Sequence, residues 1–139
     1  MGGQEAIMKG LTLTIPGMPP MSLNVYLRKH WSVRGQTKRF WTMAVWGAAI
    51  EAMEQLPGMA LVDLQHRRRH KKVRLDYYFP TVRRRDRDNY QKILLDALVA
   101  NKLLVDDSPE WCEVTVEMHV DAERPRTEIR LEEVVEKCG

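Results

Sequence analysis

Within residues 83–92, RRRDRDNYQK, Asp86 and Asp88 stand one residue apart, with Asn89 next and Lys92 four residues past the second acid. Arg83, Arg84 and Arg85 run straight into them. Two carboxylates held 4 Å apart repel by about 1 kcal/mol even in water, and by more in a drier site. Something positive must therefore offset them. One solution is plain arginine–aspartate pairing. The other is a hard divalent cation, which takes carboxylate oxygens and keeps water in its remaining positions. A pair of such ions can stabilise both the attacking and the leaving oxygen of a phosphodiester, and Lys92 could neutralise the phosphate or orient the water.

Further acids follow in LLVDDSPEW, where Asp106 and Asp107 precede Glu110. Asp88 reads as the N-cap of a helix running to about Asn101 or Lys102, roughly 20 Å long. Asp107 can reach the first pair only if the chain after the helix folds back along it. Extended chain from Asn101 to Asp106 covers about 17 Å, so the return is possible. Simpler roles compete with chemistry. Asp88 could be a cap alone, and Lys92 could pair with Asp88 and Asp96 for about 0.3–0.5 kcal/mol each. The run DRDNYQKILLDA is no calcium loop, since Tyr90 and Gln91 stand where a ligand and Gly belong and Ala97 replaces the closing Glu.

Alternation, helical spacing and turn residues outline the elements that would position these groups. LTLTIPG, residues 11–17, reads as a strand, and the proline-rich GMPPMSLNVYLRKHW as a non-helical connection. Its Tyr26, Arg28, Lys29, His30 and Trp31 could face a substrate. A long helix is expected from Arg34 to Gln55, with Phe40, Trp41, Ala44, Val45, Ala48 and Ile50 as core. VRLDYYF, closed by Pro80, makes a second strand with Val73, Leu75, Tyr77 and Phe79 on one face. On the helix after Asp88, Tyr90, Ile93, Leu94, Ala97 and Ala100 form one apolar side. Leu95 and Val99 flank a polar line of Asp88, Lys92 and Asp96, which suggests a second packing partner, such as another subunit. VTVEMHV and TEIRLEEV supply two more strands. The order βαβαββ is an α+β fold, a mixed sheet with helices packed on it.

A chain of 139 residues fits a single domain over residues 1–139, of which residues 1–9 read as an extension or disordered start. Net charge is only +3, but nine basic residues lie between Arg67 and Arg85 with Asp76 the only acid. Such clustering suits a phosphate backbone or an anionic membrane. Arg69, Lys71, Lys72, Arg83, Arg84, Arg85 and Asn89 are the candidate contacts to nucleic acid. Cys112 and Cys138 form no disulfide framework and show no zinc spacing. With no signal-peptide run and no apolar stretch near 18 residues, a cytoplasmic protein without membrane contact is expected.

RRRDRDNYQKILLDAL followed by LLVDDSPEW resembles the RusA family of Holliday junction resolvases, whose pattern is D-x-D-N-x-x-K-x-x-x-D-A-L and then a D-D pair. The likeness is tight from Arg85 to Asp107 and extends loosely to Pro19, Pro20 and Asn24. It implies that Asp86, Asp88 and Asp107 are the essential metal-binding carboxylates and Lys92 the catalytic lysine. Asp106 and Asp96 match further acids of the motif, and Asp106 is the fourth candidate metal ligand. It also implies a C2 homodimer of α/β subunits, a need for Mg²⁺ or Mn²⁺, and paired nicks in opposing strands of a four-way junction. Tyr90 departs from the family's usual aliphatic residue, and Asn101-Lys102 stands where many relatives have Gly.

The expected activity is thus that of a Mg²⁺-dependent, structure-selective endodeoxyribonuclease acting in DNA recombination and repair. Two readings compete with it. One is a non-catalytic protein that binds branched DNA through the basic run. The other is a nuclease that prefers flaps, forks or replication intermediates.

Overall fold

A computed structural model of the chain describes residues 3–6, 10–56, 61–66 and 68–137. Its strands are β1 (Gly3–Ala6), β2 (Leu11–Pro16), β3 (Lys71–Phe79), β4 (Cys112–Val120) and β5 (Arg126–Lys137). The helices are α1 (Leu23–Leu27), α2 (Trp31–Met53), α3 (Leu61–Gln65) and α4 (Lys92–Ala100), with a 3-10 turn at Arg87–Asn89. β5 is the central organiser. One of its edges takes β2 at residues 126–131 and β1 at residues 134–137, both antiparallel. Its other edge pairs antiparallel with β3, which pairs in parallel with β4, Lys71 opposite Cys112 and Phe79 opposite Val120. The chain is therefore α+β with a mixed sheet, and α2 and α4 cover one face.

Strict alternation makes that face dry. Leu11, Leu13 and Ile15, Val73, Leu75, Tyr77 and Phe79, and Ile129 and Leu131 point inward and are buried. Against them pack Trp41, Val45, Ala49 and Met53 of α2, and Ile93, Leu94, Ala97 and Leu98 of α4. Each fully buried side chain of this kind contributes about 1.5–3 kcal/mol of transfer free energy. The opposite face is a charged ladder. There Asp76 accepts from the Arg74 guanidinium and contacts the His119 ring at 2.7 Å, and Arg126 lies 3.7 Å over the Tyr78 ring.

Several expectations need correction. The proline-rich connection contains α1, because both prolines precede Ser22, whose hydroxyl accepts the Val25 N–H at 3.2 Å and caps the turn. α2 starts at Trp31, and Phe40 and Ile50 lie on its outer side, 60% and 42% exposed, rather than in the core. α4 starts at Lys92, because Asp86 rather than Asp88 caps this stretch and what it caps is the 3-10 turn. Leu95 is buried within the single chain, so of the second apolar side of α4 only the half-buried Val99 reaches the surface.

The end of α4 is built with care. Asn101, itself buried, donates to the carbonyls of Ala97 and Thr42 and so pins the helix to α2. Lys102 N–H then bonds Val99 O and Leu103 N–H bonds Leu98 O, the paired bonds of a Schellman motif. Lys102 takes φ 61° there. That left-handed conformation costs a residue with a Cβ about 1–2 kcal/mol, and glycine would adopt it freely.

Candidate active site

β3 delivers the chain to the site and anchors it. The buried Tyr77 hydroxyl donates to the Tyr90 carbonyl, and Tyr90 packs edge-on against Phe79. Burial pushes the Tyr77 hydroxyl's pKa far up, so it stays a donor. Between these anchors residues 81–89 loop outward. Asp86 organises them, with one carboxylate oxygen accepting the Asp88 N–H at 3.1 Å and the other the Asn89 side-chain amide at 3.3 Å. Arg87, between the two acids, reaches Glu117 of β4 at 3.8 Å and ties the turn to the sheet. The outcome is an exposed pair of carboxylates on a braced turn at the C-terminal end of β3, where α/β sheets place their ligands.

The return of the chain past α4 is equally clear. Lys92 Nζ donates to Asp107 at 2.7 Å and pairs with Asp96 at 3.0 Å. So the segment after α4 does fold back, and it delivers Asp107 to the Lys92 ammonium. Hydrogen bonds from Lys92 to Asp107 and then to Asp96 raise the lysine pKa further above its ordinary value. At neutral pH this group is a fixed cation and no proton acceptor. Tyr26 of α1 and Lys38 of α2 line a small cleft with Lys92 and Asp96. Lys38 was not singled out from sequence. Its only signal there is the spacing of Arg34 and Lys38, one turn apart.

The four expected metal ligands do not converge. Among the described residues no three His, Cys, Asp or Glu side chains form a ligating group. Asp107 is engaged by Lys92, and Asp106 is exposed beside it. Mg²⁺, however, is commonly held by one or two carboxylates plus substrate phosphate and water, not by an all-protein cage. The oxygen-only pair Asp86 and Asp88, open to solvent, fits that mode.

The basic run is likewise divided. β3 puts about 26 Å between Lys71 and Phe79, so Arg68, Arg69 and Lys72 lie at one end of the strand and Arg83, Arg84 and Arg85 at the other. Lys71 has no exposed surface and belongs to the inward face opposite Glu133, which corrects its assignment to DNA. Arg85 folds over the Phe79 ring at 3.7 Å and donates to the Thr81 carbonyl, and Asn89 serves Asp86. Arg83 and Arg84 remain exposed beside the acids.

Cys112 is buried, which pushes its thiol pKa up, and Cys138 lies outside the described residues. No helix among the described residues is long and apolar enough to cross a membrane.

No curated protein matches the chain. The family model for endodeoxyribonuclease RusA matches residues 21–132, a span that contains α1, the braced aspartate turn, Lys92 and Asp107. With the acidic turn, the lysine and the folded-back loop in place, the chain belongs to the endodeoxyribonuclease RusA family, enzymes that hydrolyse DNA.

Proposed function

We propose that the chain nicks phosphodiesters at branch points in DNA, four-way junctions first among them, and requires a divalent cation held by Asp86 and Asp88. The observation that carries this reading is the braced turn, which holds two carboxylates at the surface, with a permanently charged lysine four residues on. A bound Mg²⁺ or Mn²⁺ would supply charge stabilisation of the phosphate and activation of water. The chain's own groups do the rest. Arg83 and Arg84 attract the backbone to the turn. Asn89 keeps the Asp86 carboxylate aimed. Lys92, positioned by Asp107 and Asp96, faces the negative charge that grows on the phosphate oxygens as the bond breaks.

The test is cleavage of a labelled four-way junction beside a flap, a fork and a linear duplex, each with Mg²⁺, with Mn²⁺ and with EDTA. Symmetric metal-dependent nicks in the junction support the proposal. A preference for the flap or fork would move the substrate and keep the site. Absence of cleavage on every branched DNA in either metal would overturn it.

Lys92→Gln is expected to lower turnover by about 10²-fold, the scale of one lost charge-stabilising donor, and to change junction affinity by far less. Because the lysine pKa is raised, its charge is present at all pH values below the ordinary 10.5 and is lost only above it. The wild-type rate should therefore show no fall between pH 7 and 9 that Lys92→Gln removes. Equal turnover in variant and wild type would reduce Lys92 to a helix-surface pair.

A homodimer follows from the substrate, since a junction has approximate two-fold symmetry and two sites can cut it in one encounter. We place the contact on α2. Its outer side carries Phe40, Met43, Trp46 and Ile50, between 38% and 66% exposed, as one stripe on a 23-residue helix. Residues 40, 43, 47 and 50 are spaced symmetrically about residue 45, as an antiparallel two-fold crossing requires. Nothing stands within 4 Å of a Cβ built on Gly47, which leaves a notch for the partner's Met43. Such a stripe supplies the apolar centre of an interface that takes about 800 Å² from each subunit.

A further inference from the structure

We propose that the end of α4 far from Asp86 and Asp88 carries a second phosphate pocket, formed by His66, Arg68 and Lys102, that holds the same duplex arm about seven to eight base-pair steps from the cut. The inference rests on the proposed function for its substrate, DNA, and adds a contact that the catalytic turn does not provide.

The pocket is a cavity of about 310 Å³. His66, Arg68 and Lys102 stand on its walls, and Val99, Leu104 and Val105 form its apolar floor. No acid is among the described residues that line it. Arg68 and Lys102, two permanent cations at one cavity whose described lining holds no carboxylate, repel one another, and an anion relieves that repulsion. The frame is rigid. Gln65 of α3 donates to the Asn101 carbonyl at 2.8 Å, which joins the segment bearing His66 to the turn bearing Lys102. Arg68 lies 5.5 Å over the Trp111 ring, which fixes the guanidinium's approach.

Lys102 carries the second observation. It occupies the left-handed C′ position of the Schellman motif, where glycine is the unstrained choice. A strained residue at a surface turn points to a use for its side chain. Attraction between a cation and the negative end of α4 explains one basic residue near a helix terminus. It does not explain a second permanent cation, Arg68, on the same cavity, nor strain where an unstrained position one residue away would serve.

Position identifies the ligand. Val99, in the pocket floor, lies seven residues past Lys92, two turns along the same face of α4. β3 sets about 26 Å between the end that carries Arg68 and the end that leads to the aspartate turn, which is about seven to eight base-pair steps at 3.4 Å. A duplex arm leaving the aspartate turn along this face brings a backbone phosphate to the pocket. An isolated phosphate or nucleotide offers no such reason for the spacing.

The experiment measures binding of a labelled four-way junction and a linear duplex in EDTA across salt concentrations, for wild type, Lys102→Gly and Arg68→Gln. Lys102→Gly removes the cation and the strain together, so it should fold with an unchanged or higher Tm. Its plot of log K against log salt should flatten by about 0.9, one phosphate contact, with affinity at physiological salt down about 3- to 10-fold. Arg68→Gln should act in the same direction. A neutral methylphosphonate seven or eight steps from the nick should weaken wild type and leave Lys102→Gly unaffected.

Unchanged slopes in both variants would overturn the inference. So would a lower Tm for Lys102→Gly with binding intact, the result expected of a cation that only stabilises the helix end. Cleavage assays stand apart from these. A wild type that cuts no branched DNA, yet whose variants flatten the salt plot, would refute the proposed function and keep the pocket. Metal-dependent junction cleavage with unchanged slopes would do the reverse.

Discussion

Asp88→Asn is expected to reduce junction cleavage by at least ~10³-fold, about 4 kcal/mol of barrier, while folding and junction binding in EDTA stay close to wild type. The substitution is nearly isosteric. The bond that Asp88 makes to Asp86 runs through its backbone N–H, which asparagine retains. Its side chain is exposed, so the change in stability should stay within about 0.5 kcal/mol. What disappears is one of two carboxylate charges able to hold a divalent ion. Removing a negative charge beside Arg83 and Arg84 should, if anything, strengthen DNA binding at low salt. Single-turnover cleavage of a labelled junction, with Tm and binding measured in parallel, checks this. Retained cleavage would remove Asp88 from the site, and joint loss of cleavage and folding would make it a structural residue.

Met43→Glu is expected to convert the proposed dimer to monomers and to replace paired nicks with single, unsynchronised ones. An antiparallel crossing symmetric about residue 45 sets the two Met43 positions only about 6 Å apart along the helix axes. Two carboxylates would then face each other in an apolar contact, desolvated and unpaired, at a cost of several kcal/mol. That is at least a hundredfold loss of association. Within one chain the side chain is 66% exposed, so the fold itself should tolerate the charge. Light scattering reports the mass. A junction built into a supercoiled plasmid distinguishes paired nicks, which linearise it, from single nicks, which only relax it. A variant that remains dimeric would move the interface away from α2.

The motif from Arg85 to Asp107 was legible in the sequence because it is local: an Asp-x-Asp turn, a lysine one turn on, and an acidic pair after a helix of definite length. The strands were legible for a similar reason, since period-two alternation with β-branched and aromatic residues admits little else. Even the return of Asp107 along α4 could be bounded by chain length. Its destination could not, because whether Asp107 joins the carboxylates or meets Lys92 depends on side-chain reach in three dimensions.

Tertiary structure decided the remainder. One run of basic residues became two patches, because nine extended residues of β3 separate its halves, and Lys71 turned inward with the buried face of its strand. Phe40 and Ile50 share α2 with Trp41 and Val45, yet only the latter two reach the sheet, because a helix has a single inward side and α2 is apolar on both. The strain at Lys102 and the pocket it lines arise where α3, the end of α4 and the loop behind it meet. Sequence by itself determined which groups could do chemistry and roughly how far apart they lie along the chain. Which of them stand together was settled only by the packing of distant segments, since hydrogen bonds and charges act over a few ångströms of space, whatever the separation in sequence.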